Sequence, residues 1–309
     1  MKKTIIPIFY AADENYMPYL AVALASLKGY ITDKYEYNIH VLYAGRLNGN
    51  ATKVKGMEGE NFHIFFEDVG ERIMRITDCM HCRDYYTSAI YYRLFIPELF
   101  PQYEKAVYLD CDTIACTDIA KLYEIEIGEN YIGAVADQAV AAVEEFRAYT
   151  KNALGIAYDH YFNSGVIVMN LAKFREIGFY ERFGEVLRSY DFTIAPDQDC
   201  LNLICKDKVY YYEAGWNQMP IGGRAEDAVY LIHYNLSMKP WHYSGILYEE
   251  LFWAYAEKTE FYSVIRTVKE NFTSEMVKRD EEGGKRLIAL AKAEADNPNN
   301  FIRSVGMKQ

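Results

Sequence analysis

No apolar run in this 309-residue chain reaches membrane-spanning length, no stretch gathers lysine and arginine into a basic stripe, and no repeat or low-complexity linker divides it. The missing basic stripe matters because the formal charge is -11. Nothing neutralises a run of phosphates, which argues against a nucleic-acid partner. A small phosphorylated ligand stays open, since one bound cation and one or two basic side chains reverse the field locally. A disulfide framework is missing as well. The six cysteines, Cys79, Cys82, Cys111, Cys116, Cys200 and Cys205, read as reduced thiols in a chain of this size without a secretory signal. Cys79 and Cys82 form a C-x-x-C around His81, but no second pair completes zinc-finger spacing. The opening MKKTIIPIFYAADENY imitates a signal only superficially: its apolar core is short, Pro7 interrupts it and an acidic polar stretch follows. The expectation is a soluble, cytoplasmic protein whose sequons at Asn50, Asn235 and Asn271 go unused.

What is present is core-forming material: 51% of residues are hydrophobic, enough for a substantial interior. Short β-rich runs alternate with stretches of helical period, as in parallel strands joined by helical crossovers. Strands are expected over 4–10, 37–43, 62–66, 105–109, 131–136, 165–170, 208–212 and 228–233, and helices over 16–28, 85–96, 179–190, 197–205 and 249–257. This predicts an α/β fold with one open, mostly parallel sheet flanked by helices. In such a sheet ligands bind beyond the carboxyl ends of the strands, where strand order reverses. A main domain over 1–257 would precede a helical extension over 258–309. There KRDEEGGKRLIALAKAEAD reads as a surface helix and NPNNF as a disordered end.

The densest chemistry lies in KAVYLDCDTI, residues 105–114, where an apolar run delivers Asp110 and Asp112 to a strand end. Alternation along a strand sends these two carboxylates to one face and Cys111 to the other. Both then converge on one divalent cation, which usually holds a phosphate. His233 closes another apolar run, AVYLIH, at the same rim, and Lys239 follows ahead of Pro240 and Trp241. Mixed carboxylate and imidazole ligation suits Mn²⁺ better than Ca²⁺, and a fixed loop would aim the Lys239 ammonium at a pyrophosphate. Each residue has a plainer reading, since acidic pairs cap turns and lone histidines at strand ends are often structural. Their joint occurrence carries the metal reading. D-x-D-x-T after a strand is also the nucleophile signature of haloacid-dehalogenase-type phosphatases, with Asp110 attacking phosphorus and Asp112 as acid and base. That motif belongs near the N-terminus with a later G-D-x-x-x-D cluster, which this chain lacks.

The segments FYAADENYMPYLAVALASL, LDCDTI, YFNSGVIVMNL, PDQDCLN and HYNLSMKPW follow in this order over residues 5–241. In this the chain resembles the family 8 glycosyltransferases, retaining enzymes that include lipopolysaccharide α-galactosyltransferases and glycogenin. The resemblance implies a GT-A fold, a Rossmann-like nucleotide-binding half fused to an acceptor half. It also implies a UDP-glucose or UDP-galactose donor, and Mn²⁺, with Mg²⁺ as the alternative, held by Asp110, Asp112 and His233. It assigns Ala11, Ala12, Asp13, Asn15 and Tyr16 to the uracil and ribose pocket, where carboxylate, amide and aromatic ring have suitable partners. Asp13 as a helix cap is the other reading. Cys111 falls in the donor site between the metal ligands. Arg93 falls near the donor, its plainer role being a surface ion pair. Asp137, Asn163, Asp197 and Gln198 match positions around the donor sugar, and Asp197 and Gln198 are the nearest candidates for catalytic residues. Asp199 reads as part of a helix start.

The reaction so implied is departure of UDP from the anomeric carbon and attack by an acceptor hydroxyl with retention, the metal and Lys239 neutralising the pyrophosphate. No residue stands out as a nucleophile, and an amide is a poor one, which favours front-face attack over a covalent glycosyl enzyme. The acceptor would be a glycan, on a cell-surface polysaccharide or a lipid carrier, held by loops 77–87 and 138–160. The C-terminal helices are candidates for peripheral membrane contact, although their mixed charge argues against it. One departure stands out. Leu236 occupies the place of the family's glycine, three residues after the histidine. That puts a backbone phosphate contact there in doubt, and it is the only support for a non-catalytic sugar-nucleotide-binding or glycan-binding protein on the same fold.

Overall fold

Residues 3–71, 88–223 and 228–305, those that the computed structural model describes, contain the strands β1 (Thr4–Ala11), β2 (Tyr35–Tyr43), β3 (Phe62–Asp68), β4 (Lys105–Leu109), β5 (Thr113–Ala115), β6 (Ile132–Ala136), β7 (Phe162–Asn170), β8 (Val209–Tyr211) and β9 (Leu231–His233). Seven of them form one sheet in the order β3-β2-β1-β4-β7-β6-β8, and β5 pairs with β9 in a separate ribbon. Ile6, Ile8, Phe9 and Tyr10 of β1 are fully buried, as befits a strand covered on both faces. β1 lies parallel to β2 on one side and β4 on the other. Pro7 precedes the stretch paired with β4, which begins at Ile8, so its missing N–H breaks no bond on that side.

Strand order reverses between β1 and β4, and their carboxyl ends open on one crevice. β7 runs antiparallel to both β4 and β6, so its first residues, not its last, reach that crevice. Leu109 pairs with Val166, and the Asp110 N–H donates to the Gly165 carbonyl at 2.7 Å. The helix Met17–Lys28 has Pro18 in its first turn and is buried on nearly every side, which marks a core helix rather than a surface one.

Differences from the expected elements have local causes. The ribbon strand β5 was not foreseen, because three residues carry no period. The helix expected over 85–96 begins outside the described residues and continues as a 3₁₀ helix, Ser88–Phe95, before the short α-helix Ile96–Leu99. Cys79, His81, Cys82 and the loop 77–87 also lie outside the described residues. The NPNNF segment, expected to be disordered, is packed. Asn300 is fully buried, its amide donates to the Asn152 carbonyl (3.0 Å), and its side-chain oxygen accepts the Arg303 N–H (3.2 Å). Phe301 meets Phe192. The capping Asn300, the Ile302 N–H donated to the Ala153 carbonyl (2.9 Å) and the Phe301 ring together hold the segment, which composition does not register. Before it, the helix Ser274–Asp296 lies along Glu144–Asn152 with Ala291 and Ala295 buried. No helix of the described residues is long and apolar enough to cross a membrane.

Candidate metal and donor site

β4 ends at Leu109, so Asp110 and Asp112 lie in the turn between β4 and β5, not on a strand. Strand alternation is therefore not what aligns them. The Thr113 hydroxyl donates to the Asp110 carbonyl at 2.8 Å, and β5 pairs with β9 so that Thr113 opposes His233. The Tyr234 N–H donates to the Asp112 carbonyl at 2.9 Å. The ribbon thus presses the imidazole onto the turn, with Nε2 3.3 Å from Asp112 Oδ1 and 3.7 Å from Asp110 Oδ2. One ligand atom from each of the three lies within 4.8 Å of the others.

His233 is 1% exposed and Asp112 9%. His233 Nδ1 lies 3.0 Å from Asn217 Oδ1; an amide oxygen only accepts, so Nδ1 carries the proton and Nε2 presents a lone pair. Asp112 Oδ1 and His233 Nε2 are both buried without a hydrogen-bond partner. Each such atom costs about 1–3 kcal/mol. A divalent cation relieves both, and two carboxylates with a neutral imidazole form a fitting donor set. Lys239 is also buried and donates to Asp112 Oδ2 and to the Tyr234 carbonyl. Burial works to raise the Asp112 pKa, but the Lys239 ammonium outweighs it and holds the carboxyl below its ordinary range.

A hydrogen-bonded network runs from this cluster into the sheet. Arg93, 5% exposed, donates to Asp110 Oδ1 (3.0 Å), the Ser164 carbonyl (2.6 Å) and Ser164 Oγ (3.1 Å). Its Nε lies 3.6 Å from Asp197 Oδ2, and its guanidinium lies over the Tyr108 ring. Arg93 is thus no surface ion pair. Burial raises the Asp197 pKa, with Arg93 opposing. Gln198 is fixed at both amide atoms: Nε2 donates to Asp137 Oδ2 (3.0 Å), and Oε1 accepts the Ser164 N–H (2.9 Å). Asp137 also caps the helix Gln138–Ala142 through the N–H groups of Ala139 and Val140. Asn163 Nδ2 donates to Asp137 Oδ2 (3.0 Å), and its Oδ1 accepts from Asn217 Nδ2 (3.0 Å), which returns the network to His233.

Two hollows meet at this cluster. One is lined by Ala11, Ala12, Asp13, Tyr16, Arg93, Tyr108, Asp110, Cys111 and Asp112. Of the residues expected in a nucleotide pocket, only the exposed Asn15 is not among its walls. Asp13 Oδ1 accepts the Tyr16 N–H at 2.9 Å, closing the turn before the helix. Tyr16 is the N-cap and receives no side-chain cap, so Asp13 does not cap that helix and its place in the hollow stands alone. The other hollow is lined by Arg93, Asp110, Asp137, Asn163, Asp197 and Gln198, with Leu236 and Leu287 at its apolar side. Leu236 has φ 57°, the left-handed conformation that glycine adopts freely. Leucine here adopts a conformation open to glycine, and its N–H is donated to Asn235 Oδ1 at 2.7 Å. Asp199, read from sequence as a helix start, is fully buried and accepts from Tyr161 (2.6 Å), Tyr149 (2.7 Å) and the Ala195 N–H (3.2 Å). Burial outweighs these donors and pushes its pKa up to about 7. Ser164 and Asn217 were not singled out from sequence. Ser164 stood unremarked inside the quoted YFNSG, and nothing local marks Asn217.

The family profile "Glycosyl transferase family 8" matches residues 7–245. The chain is 29% identical to a putative glycosyltransferase of Haemophilus influenzae, over 69% of this chain and 63% of that protein, less than two thirds of its length. It is 26% identical to the lipopolysaccharide 1,2-glucosyltransferase of Escherichia coli, over 76% of this chain and 72% of that one. The crystal structure of the galactosyltransferase LgtC in complex with donor and acceptor sugar analogues superposes with a TM-score of 0.70 at 28% identity, covering 82% of this chain and 96% of that one. The sheet and flanking helices described above form the same GT-A architecture.

Proposed function

The chain belongs to glycosyl transferase family 8, and from that premise we propose that it is a retaining, metal-dependent hexosyltransferase that moves glucose or galactose from a UDP-sugar to a hydroxyl of a glycan. The observation that carries the proposal is the pair of buried, unpartnered atoms, Asp112 Oδ1 and His233 Nε2, beside Asp110. They stand where the two hollows meet, since Arg93 and Asp110 line both. The hollow with Asp13 and Tyr16 suits uridine. The one with Asp137, Asn163, Asp197 and Gln198 offers the donors and acceptors a hexose requires.

Asp110, Asp112 and His233 would hold the cation, Mn²⁺ by donor set, which when bound supplies Lewis-acid neutralisation of charge on the diphosphate. Lys239 supplies a second positive charge to the same leaving group. Gln198 is locked by Asp137 and Ser164, and Asp197 is drawn to Arg93. Neither is poised as a free nucleophile, which supports front-face attack by the acceptor hydroxyl. Relatives named for lipopolysaccharide transfer support a cell-surface or lipid-linked glycan as acceptor, with the reaction in the cytoplasm where UDP-sugars are made. On this reading residues 1–257 form the catalytic part. The phosphatase reading has no support in the family match. The non-catalytic reading has no support there either, and relatives that the chain matches are named as transferases.

Incubation with a panel of UDP-sugars and Mn²⁺, reading UDP release, tests the proposal. The expected result is metal-dependent release that EDTA and Asp112→Asn abolish. Release that survives both treatments would overturn the metal assignment, and no release from any UDP-sugar would overturn the activity.

A further inference from the structure

The family match ends at residue 245, yet the turn that launches Lys239 is gripped from beyond that point. Within residues 239–243 the Lys239 carbonyl accepts the N–H groups of His242 (3.0 Å) and Tyr243 (2.9 Å), which closes the turn. The carbonyls of Pro240 and Tyr243 both accept from Nζ of Lys269, at 2.9 and 2.8 Å. Lys269 belongs to the helix Tyr262–Glu270. Its ammonium lies 3.7 Å from Glu249 Oε2 and over the Trp253 ring, so its charge is held in place from two further sides.

Two other contacts come from the same extension. Phe272 stacks on the His242 ring with centroids 4.2 Å apart and planes 6° from parallel. The Tyr243 hydroxyl donates to Asp280 Oδ2 at 2.9 Å, from the helix Ser274–Asp296. On the opposite side Trp241 stacks on Tyr19 at 4.0 Å, in the helix that follows the nucleotide hollow. The turn is clasped between the nucleotide-binding half and the extension, and the Lys239 side chain runs inward from it to Asp112.

We infer that residues 262–280 are a buttress of the active site and that Lys269 is a positioning residue. Lys269 acts through Lys239, by fixing the turn from which that ammonium reaches the diphosphate. The inference rests on the proposed role of Lys239. A lysine stem has four rotatable bonds, so its root decides where its charge arrives. A displacement of even about 1 Å in such a group costs about 100-fold in rate.

A double-mutant cycle on full-length protein separates the alternatives: Lys239→Ala, Lys269→Met and the pair, read as Mn²⁺-dependent UDP release from UDP-glucose and UDP-galactose, with UDP·Mn²⁺ binding by calorimetry. Methionine keeps the length and apolar stem of the side chain and removes the ammonium, with its bonds to the two carbonyls and its pairing with Glu249. We expect Lys269→Met to lower kcat about 10-fold alone and less than about 2-fold in the Lys239→Ala background, with Lys269→Arg restoring most of the rate. An equal loss in both backgrounds, or no loss in the first, overturns the inference and leaves the function standing. No loss from Lys239→Ala itself overturns the role of Lys239 in the proposed function and the inference with it. Should Lys269→Met fail to fold, the same cycle with Tyr243→Phe, which removes only the Asp280 bond, decides by the same criterion.

Discussion

Gly165 sits so close to His233 that a β-carbon on it would overlap the imidazole ring, and the Asp110 carboxylate beside it. Its N–H is donated to Asn163 Oδ1 (3.0 Å) and its carbonyl accepts from Asp110, so the backbone there has no room to retreat. Gly165→Ala is expected to leave the fold intact and to displace the metal ligands, lowering metal-dependent UDP release about 100-fold or more. An Mn²⁺ titration checks it: the half-saturating concentration should rise with the loss of rate.

Asn217 tests the tautomer of His233 from the other side of the ring. Its Oδ1 is the Nδ1 partner, and its amide ties into Asn163. Asn217→Ala removes the group that aims the lone pair of Nε2 at the acidic pair. Metal affinity should fall about 10–100-fold, with the Kd for UDP in the absence of metal unchanged. An unaltered Mn²⁺ affinity would show that the ring needs no such partner.

Leu236 predicts a stability effect of the opposite sign. A leucine held at φ 57° carries roughly 1–2 kcal/mol of backbone strain, and its side chain is 49% exposed, so little packing offsets it. Leu236→Gly relieves the strain at the cost of a more flexible unfolded chain. The expected result is a net stabilisation of about 0.5–1 kcal/mol, read as a higher urea midpoint at unchanged slope. Destabilisation would mean that the side chain packs in a way its exposure conceals.

Asp199 makes stability depend on pH in a definite direction. Its folded pKa of about 7 lies above the ordinary value of 3.8 because burial disfavours the charged form. A raised carboxyl contributes most below the unfolded pKa and loses that contribution as pH rises through the folded one. Against Asp199→Asn, which does not titrate, the wild type should therefore lose relative stability between about pH 4 and pH 7, by up to about 4 kcal/mol. Urea unfolding of both proteins across that range measures it. A constant difference would place the Asp199 pKa near its ordinary value.

Much of the site was legible because its signals are local. LDCDTI announces itself as an apolar run ending in acids, and LIH places a histidine at another strand end. Their convergence was read correctly for a wrong reason, since a turn and a two-stranded ribbon, not strand alternation, bring Asp110, Asp112 and His233 together. The tight fit at Gly165 was illegible because it depends on β7 running backwards, and Asn217 because it meets His233 only where Gln218 pairs beside β9; no short segment records either. The order at Asn300 and the grip of Lys269 on the Lys239 turn were illegible for a related reason. Each is a side chain meeting backbone carbonyls far away in sequence, and polar helices look alike whether or not such carbonyls wait for them.

Arg93 spreads one buried charge over several acceptors, among them Asp110 at the candidate metal cluster, Asp197 in the hollow beside it and the Ser164 carbonyl between them. A cation arriving at Asp110 competes for the first of these and leaves more of the guanidinium's field to the other two. On the proposed function, occupancy of the candidate metal cluster and affinity for the hexose are then linked quantities, and linkage is reciprocal. The hexose half of the donor should tighten the hold on the ion by the same factor by which the ion tightens the hold on the hexose. Arg93 would thus act as a molecular balance between two sites that share it.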